Sequence, residues 1–333
     1  MTRYFCTYFD RNYLSRGLAL FRSLDRSCPD FELWVLCMDR SCFEALTTLA
    51  LPGIHAIALD DFEKGDNDLL TAKQNRSPIE YYFTCSPSLP LFVLNNNPHV
   101  DLITYLDADL FFFGEVTPIY DELADRSIGI IGHRFPPFLK KNELNGVYNV
   151  GWVTFRRDAH GLACLRWWRE RCLEWCYDRC EDGRFADQKY LDVWPSRFDK
   201  VAVLQHKGAN LAPWNLANYT VSTDGSRVCV DEQPLIFFHF HGLKQIGRWT
   251  YDPGLDDYQT KSTSVIRRNI YAPYIRTLAA TTRQVPLPIR DTALRGIIRY
   301  PAVRRLGGRL RAVRLAQGIL ERRFIVVLNR SFQ

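Results

Sequence analysis

The sequence has no apolar run near the ~20 residues that a membrane-spanning helix requires. Residues 1–10 lack the basic-then-apolar shape of a secretory signal, so the expected compartment is the cytoplasm. No internal repeat or low-complexity run is present, which excludes solenoids and fibrous chains. Ten cysteines are present without a single C-x2-C pair, so a structural zinc site is not indicated. Cys6, Cys37 and Cys229 fall inside apolar, strand-like runs. Cys172, Cys176 and Cys180 recur every four residues in a Trp-rich stretch, a spacing that predicts one helix face. Reduced, mostly buried thiols are the expectation.

The 333 residues are 47% hydrophobic and 24% charged, a globular composition for one large domain or two ordinary ones. Charge is uneven. From residue 283 onward there are twelve arginines against Asp291 and Glu321, a balance of +10. The net charge is +6, so residues 1–282 carry −4, and no nucleic-acid footprint covers them.

Along the first half, strand and helix signals alternate. Strands are predicted over 4–9, 31–38, 54–59 and 100–106. Leu14, Leu18, Phe21 and Leu24 recur at helical spacing. Ser41 with Glu44, and Ser77-Pro78-Ile79-Glu80, read as capping boxes opening two more helices. The second half predicts strands over 127–132, 147–155, 201–206 and 234–240, a long helix over 158–180, and a short one over 187–194 stopped by Pro195. Such alternation predicts an α/β fold with a mainly parallel central sheet flanked by helices. The body is expected to span 1–255, followed by a basic helical appendage over 256–333 beyond whose start Pro286 and Pro288 mark a linker.

Two segments carry chemistry. The first is Tyr105-Leu106-Asp107-Ala108-Asp109 after a buried strand. In a parallel sheet, ligands bind beyond the carboxyl ends of strands, and two carboxylates there suit a hard divalent cation holding phosphate oxygens. Read alone, an acidic turn explains the pair equally well. An apolar strand ending in Asp-x-Asp also resembles the nucleophile loop of haloacid-dehalogenase phosphatases. The second segment is His239-Phe240-His241-Gly242-Leu243-Lys244. A neutral His can complete a carboxylate metal site, Gly admits a phosphate close to the backbone, and Lys brings positive charge. On a half-buried strand His239 and His241 share one face, and read alone the segment is better explained by core or surface histidines.

Taken together and in order, these segments resemble the GT-A-fold nucleotide-diphospho-sugar glycosyltransferases, most nearly those of family 8. The matching residues are Thr7-Tyr8-Phe9-Asp10 with Tyr13, then Asp107 and Asp109, Asn149-Val150-Gly151, Asp187-Gln188, and His239 with Gly242 and Lys244. The resemblance implies a Rossmann-like GT-A sheet and metal-dependent sugar transfer, with retention of anomeric configuration. Mn2+ or Mg2+ would bind Asp107, Asp109 and His239. Thr7, Tyr8, Phe9, Tyr13, Arg76, Leu106, Asp107, Ala108, Gly242 and Lys244 would contact the nucleotide-sugar donor, expected to be a UDP-sugar. Asn149, Asp187 and Gln188 would act on the sugar, and Trp214 could stack on an acceptor.

A glycan or lipid-linked acceptor in bacterial surface polysaccharide assembly fits that class. A metal-dependent phosphatase or sugar-nucleotide hydrolase, and a non-catalytic sugar-nucleotide-binding protein, are the competing readings. The Arg-rich tail places Val303, Leu306, Leu310 and Val313 at helical spacing, with arginines largely around the other side. That pattern predicts an interfacial helix on the anionic inner face of a membrane.

Overall fold

The computed structural model describes residues 2–247, 250–285 and 324–326. Strand β1 (Arg3–Phe9) leads into α1 (Leu14–Ser27), followed by β2 (Phe31–Cys37), α2 (Arg40–Leu49) and β3 (Ile54–Ala58). Helices α3 (Leu59–Glu63), α4 (Asn67–Gln74) and α5 (Pro78–Asn96) come before β4 (Leu102–Leu106). The chain continues through β5 (Leu110–Phe112), α6 (Thr117–Leu123), β6 (Ile128–Gly132), β7 (Tyr148–Arg156), α7 (Ala159–Glu174), α8 (Trp194–Arg197) and β8 (Val201–Leu204). Seven of these strands form one sheet in the order β3-β2-β1-β4-β7-β6-β8. Only β7 runs against the others in that sheet, pairing antiparallel with both β4 and β6. The mainly parallel α/β sheet expected from the alternating pattern is the one observed.

Both faces of the sheet are apolar, as strands covered on two sides must be. Along β1, Phe5 and Phe9 join Leu14, Leu18 and Leu24 of α1 in one layer. Cys6 points into the other, where Leu89 of α5 and Trp168 of α7 pack with Tyr105 and Trp194. A third cluster gathers Phe111, Phe238, Phe240, Tyr271 and Tyr274. It lies where β5 meets β12 (Phe237–His239), after a small sheet of β9 (Val221–Asp224), β10 (Arg227–Val230) and β11 (Gln233–Pro234). Beyond it lie β13 (Lys244–Gln245), β14 (Thr250–Asp252), α9 (Ala272–Gln284) and β15 (Ile325–Val326). Helix α9 packs on α1, where the Thr281 hydroxyl donates to the Ser15 carbonyl at 2.9 Å. The Arg-rich amphipathic stretch predicted over 301–320 lies outside the described residues. Among the described residues, no helix is long and apolar enough to cross a membrane.

Local expectations fared unevenly. The capping box at Ser77 and Glu80 forms as predicted, with Pro78 in the first turn. At α2 the cap is Asp39 rather than Ser41: Asp39 is extended and its carboxylate accepts from the Cys42 N–H at 2.9 Å, leaving Ser41 inside the first turn. The helix predicted over 158–180 stops at Glu174 because Trp175 turns extended and buries its ring. Cys176 and Cys180 therefore leave the helix, and the single face of three cysteines does not exist; Cys180 is exposed. Pro195 opens α8 instead of stopping a helix, since a first-turn residue needs no N–H partner.

Candidate active site

Strand β4 is buried, and the chain leaves its carboxyl edge as Asp107-Ala108-Asp109 before turning into β5. Two bonds shape this exit. The Asp107 N–H donates to the Gly151 carbonyl at 3.2 Å, and the Leu110 N–H to the Asp107 carbonyl at 3.3 Å. Strand β12 pairs antiparallel with β5, setting His239 opposite Leu110. The Phe240 N–H then donates to the Asp109 carbonyl at 2.9 Å. Backbone pairing thus carries the His239 ring onto the carboxylates: Nε2 lies 3.1 Å from Asp109 and 3.6 Å from Asp107. The ligand atoms of Asp107, Asp109 and His239 all fall within 4.8 Å of one another.

Room for the ring comes from Gly151 on β7. A Cβ there would stand 2.9 Å from His239 Nδ1 and 2.6 Å from Asn149 Oδ1. Burial and the neighbouring Asp109 charge push Asp107 up to about 6, against the pull of His239 and of the Tyr105 hydroxyl, which donates to Asp107 at 3.0 Å. Burial also opposes the Asp109 charge, yet His239 and Arg16 hold that carboxyl well below the usual range. Burial works against protonating His239, and the two carboxylates overcome it, raising its pKa above the ordinary value. Two oxygen donors and one imidazole, converging with an excess of negative charge, are a donor set suited to Mn2+ or Mg2+.

Arg16 was not anticipated from sequence. It sits in the first turns of α1, 6% exposed. Its Nη2 donates to the Leu243 carbonyl at 2.6 Å, its Nη1 lies 3.8 Å from Asp109, and its guanidinium covers the Tyr13 ring at 4.8 Å. One side chain therefore ties α1, Asp109 and the segment between Gly242 and Lys244 together. The helical spacing gave no signal for it, because Arg16 lies away from the face marked by Leu14, Leu18, Phe21 and Leu24.

A cleft of about 440 Å3 opens beside the cluster, lined among others by Tyr8, Asp107, Asn149, Asp187, Gln188, Trp214 and His239. Asn149 organises one wall. Its Oδ1 accepts from the Gly151 N–H at 3.1 Å, so its amide Nδ2 faces His133 Nε2 at 3.2 Å and Gln188 Oε1 at 3.5 Å. Gln188 is fixed in turn by donating to the Asn145 carbonyl at 2.9 Å. His133, unnoticed in the sequence, is pushed down to about 3 by burial and lies stacked on Phe135, so it is neutral. Asp187 is 5% exposed, and burial with the Asp107 charge pushes it up to about 7. Tyr8 and Ser86 share a hydrogen bond of 3.2 Å beside it. Trp214 packs edge-on against both His239 and His241.

Other predicted contact residues lie apart from this cleft. Thr7, Phe9 and Leu106 are buried in their strands, and Phe9 fills the space over Gly17. Ala108, 8% exposed, sits between the two acids. Tyr13 is 43% exposed at the start of α1. Arg76 donates to the Leu173 carbonyl at 2.7 Å and lies over the Tyr177 ring, joining α5 to the end of α7. Gly242 has φ +76° with open space where a Cβ would be, and Lys244 sits in β13 opposite Asp252. Trp249 lies outside the described residues.

A mainly parallel sheet of this order, with an Asp-x-Asp exit and a late histidine beside it, is the GT-A glycosyltransferase fold. The galactosyltransferase LgtC, crystallised with donor and acceptor sugar analogues, superposes at a TM-score of 0.55 over 87% of this chain and 99% of its own, at 17% identity. No family model matches the sequence. Uncharacterized protein YfnF of Bacillus subtilis is 35% identical over 252 residues, 73% of this chain and 82% of its own length. Uncharacterized protein YfnD of the same organism is 32% identical over 295 residues, 88% of this chain and 94% of its own. The chain belongs to the family of YfnF and YfnD.

Proposed function

We propose that the protein is a metal-dependent, retaining glycosyltransferase of family 8 type. In this reading it moves a hexose from a nucleotide-diphosphate donor, a UDP-sugar first among them, to a glycan or lipid-linked acceptor. The observation that carries the reading is the convergence of Asp107, Asp109 and His239 within 4.8 Å at the carboxyl edge of a GT-A sheet. Bound there, Mn2+ or Mg2+ supplies Lewis-acid charge opposite the departing diphosphate. The rest falls to this chain's own side chains. Asp109 and His239 hold the cation, with Asp107 shared between it and the donor. The open backbone at Gly242 and the Lys244 ammonium approach the phosphates. The segment of Thr7, Tyr8, Phe9 and Tyr13 meets the nucleotide through Tyr8, which lines the cleft, and the exposed Tyr13, while Thr7, Phe9, Leu106 and Ala108 support that edge from within the sheet and Arg76 acts at longer range. Asn149, Asp187 and Gln188 meet the sugar, where hydrogen bonds to hydroxyls select stereochemistry. The Arg-rich tail suits an anionic membrane surface and hence a lipid-linked acceptor in surface polysaccharide synthesis.

The test is a thermal-shift panel of nucleotide-sugars with and without Mn2+. At about a hundred times Kd the true donor adds roughly 2.7 kcal/mol of stability, a shift of several degrees, and only when metal is present. If no nucleotide shifts Tm in either condition, the reading is lost.

Arg16 provides a second expected result. Arg16→Gln removes the link between Asp109 and the Leu243 carbonyl, and we expect about tenfold weaker Mn2+ binding, read by electron paramagnetic resonance, with the far-UV spectrum unchanged. Arg16→Lys should recover part of the loss only as far as its ammonium again reaches Asp109 and the Leu243 carbonyl, since its charge by itself repels the cation. Equal Mn2+ affinity in all three proteins would show that Arg16 serves the fold alone.

A further inference from the structure

A second hollow, of about 490 Å3, lies outside the catalytic cleft. Its lining includes Trp167 and Arg171 of α7, Lys189 and Tyr190 of the 3-10 helix Gln188–Val193, and Ser196 and Arg197 of α8. Among the described residues none lines both spaces, yet one element walls both. Gln188 faces the cleft, while Lys189 and Tyr190 face the hollow.

The charged side chains that line it, among the described residues, are all cations: Arg171, Lys189 and Arg197. The acids around it are accounted for one by one. Glu174 pairs with Arg171 at 2.5 Å, and Asp192 pairs with Lys189 at 2.8 Å while accepting from the Val147 N–H. Asp182 pairs with Arg184, and Glu170 and Asp199 do not line the hollow. Arg197 is the surplus cation. Among the described residues it has no carboxylate partner, and its guanidinium lies over the Trp167 ring at 4.9 Å. Arg171 meets Glu174 through Nη1, and its Nε has no hydrogen-bond partner. Trp167 stands edge-on to Tyr190, whose hydroxyl is tied to the Trp175 carbonyl at 2.7 Å, so the aromatic wall is fixed in advance.

We infer that this hollow is a second saccharide site, which holds a sugar residue bearing a carboxylate or a phosphate. Planar guanidinium groups match the oxygens of either anion, and Arg197 offers that fit without giving up an existing ion pair. An exposed pair such as Arg171–Glu174 is weak and yields readily to a better-placed anion. Trp167 and Tyr190 supply apolar surface for the carbon face of the sugar. The Ser196 hydroxyl, which donates to the Val193 carbonyl at 3.0 Å, keeps its lone pairs for a sugar hydroxyl. On the glycosyltransferase reading, the site grips an acidic part of the acceptor glycan across the 3-10 helix from the cleft.

The test is a calorimetric titration of the full chain at low salt, with neither Mn2+ nor nucleotide present. One arm compares trigalacturonate with its methyl ester and with acetate, and the other compares glucose 6-phosphate with glucose and with inorganic phosphate. In at least one arm the acidic sugar is expected to bind about tenfold more tightly than both its neutral form and the bare ion, and that arm names the anion. Arg197→Gln, a change at an exposed side chain, should cost that sugar about tenfold in affinity with Tm unchanged. Three results each overturn the inference: no acidic sugar binds, neither acidic sugar exceeds its bare ion, or Arg197→Gln binds as tightly as the native protein. The last would assign the binding to other cations of the chain, the Arg-rich tail first among them. None of these results touches the glycosyltransferase reading, because neither donor nor metal takes part in the titration.

Discussion

Asp109→Asn is expected to lower metal-dependent sugar transfer by about a thousandfold, the scale of losing a charged group that acts on a developing anion. Asparagine keeps the size of the side chain and one acceptor oxygen, so the backbone bond from the Phe240 N–H to residue 109 should persist. What disappears is the charge that His239 meets at 3.1 Å and that Arg16 meets at 3.8 Å. The thermal midpoint should fall as well. A carboxyl that His239 and Arg16 hold below its usual range stabilises the fold in its charged form, and both cations lose that partner. Turnover assays with and without Mn2+, beside a melting curve, check both halves. Native-like turnover in the mutant, or full activity of the native protein in excess EDTA, would remove the metal assignment.

How much of this was visible in the sequence depends on the range of the interaction. Leu14, Leu18, Phe21 and Leu24 announced α1 because their spacing alone decides which face is buried. Asp107, Asp109 and His239 were legible as a set because strand-terminal acids and a late histidine match a family pattern, and β5–β12 pairing brings them together. The failures came where tertiary burial outbids a local signal. Trp175 continued a helical pattern, but its ring is buried by leaving the helix, and Cys176 and Cys180 go with it. Asp39 displaced Ser41 as a cap because its carboxylate also accepts from the Arg11 N–H at 2.8 Å, a contact across the sheet edge that no local pattern encodes. Arg16 and His133 were invisible for the same reason. Each looks like an ordinary helix or strand residue until the Leu243 carbonyl or the Asn149 amide arrives beside it.

Gly151→Ala tests whether the histidine's position, and not only its presence, matters. Residue 151 lies within β7 and does not adopt positive φ, so alanine meets no backbone strain there. Space is the whole issue. The new methyl would stand 2.9 Å from His239 Nδ1, 3.0 Å from its Cε1 and 2.6 Å from Asn149 Oδ1. The His239 ring is 3% exposed and held edge-on by Trp214, so it can retreat only by turning away from the methyl. A few tenths of an ångström of such movement draws Nε2 off its 3.1 Å contact with Asp109. Overpacking of this kind costs about 1–3 kcal/mol in stability. We expect a folded protein with a modestly lower Tm, and about a hundredfold weaker metal-dependent donor binding, since metal sites tolerate little misplacement of a ligand. The decisive comparison is a double-mutant cycle with His239→Ala. If the methyl acts through the histidine, Gly151→Ala adds almost nothing once the ring is gone, and the two effects are far from additive. Full additivity would mean that the methyl acts through Asn149 and its amide network instead. Native donor and Mn2+ affinity in the single mutant would mean that His239 has room to spare and that Gly151 is not what positions it.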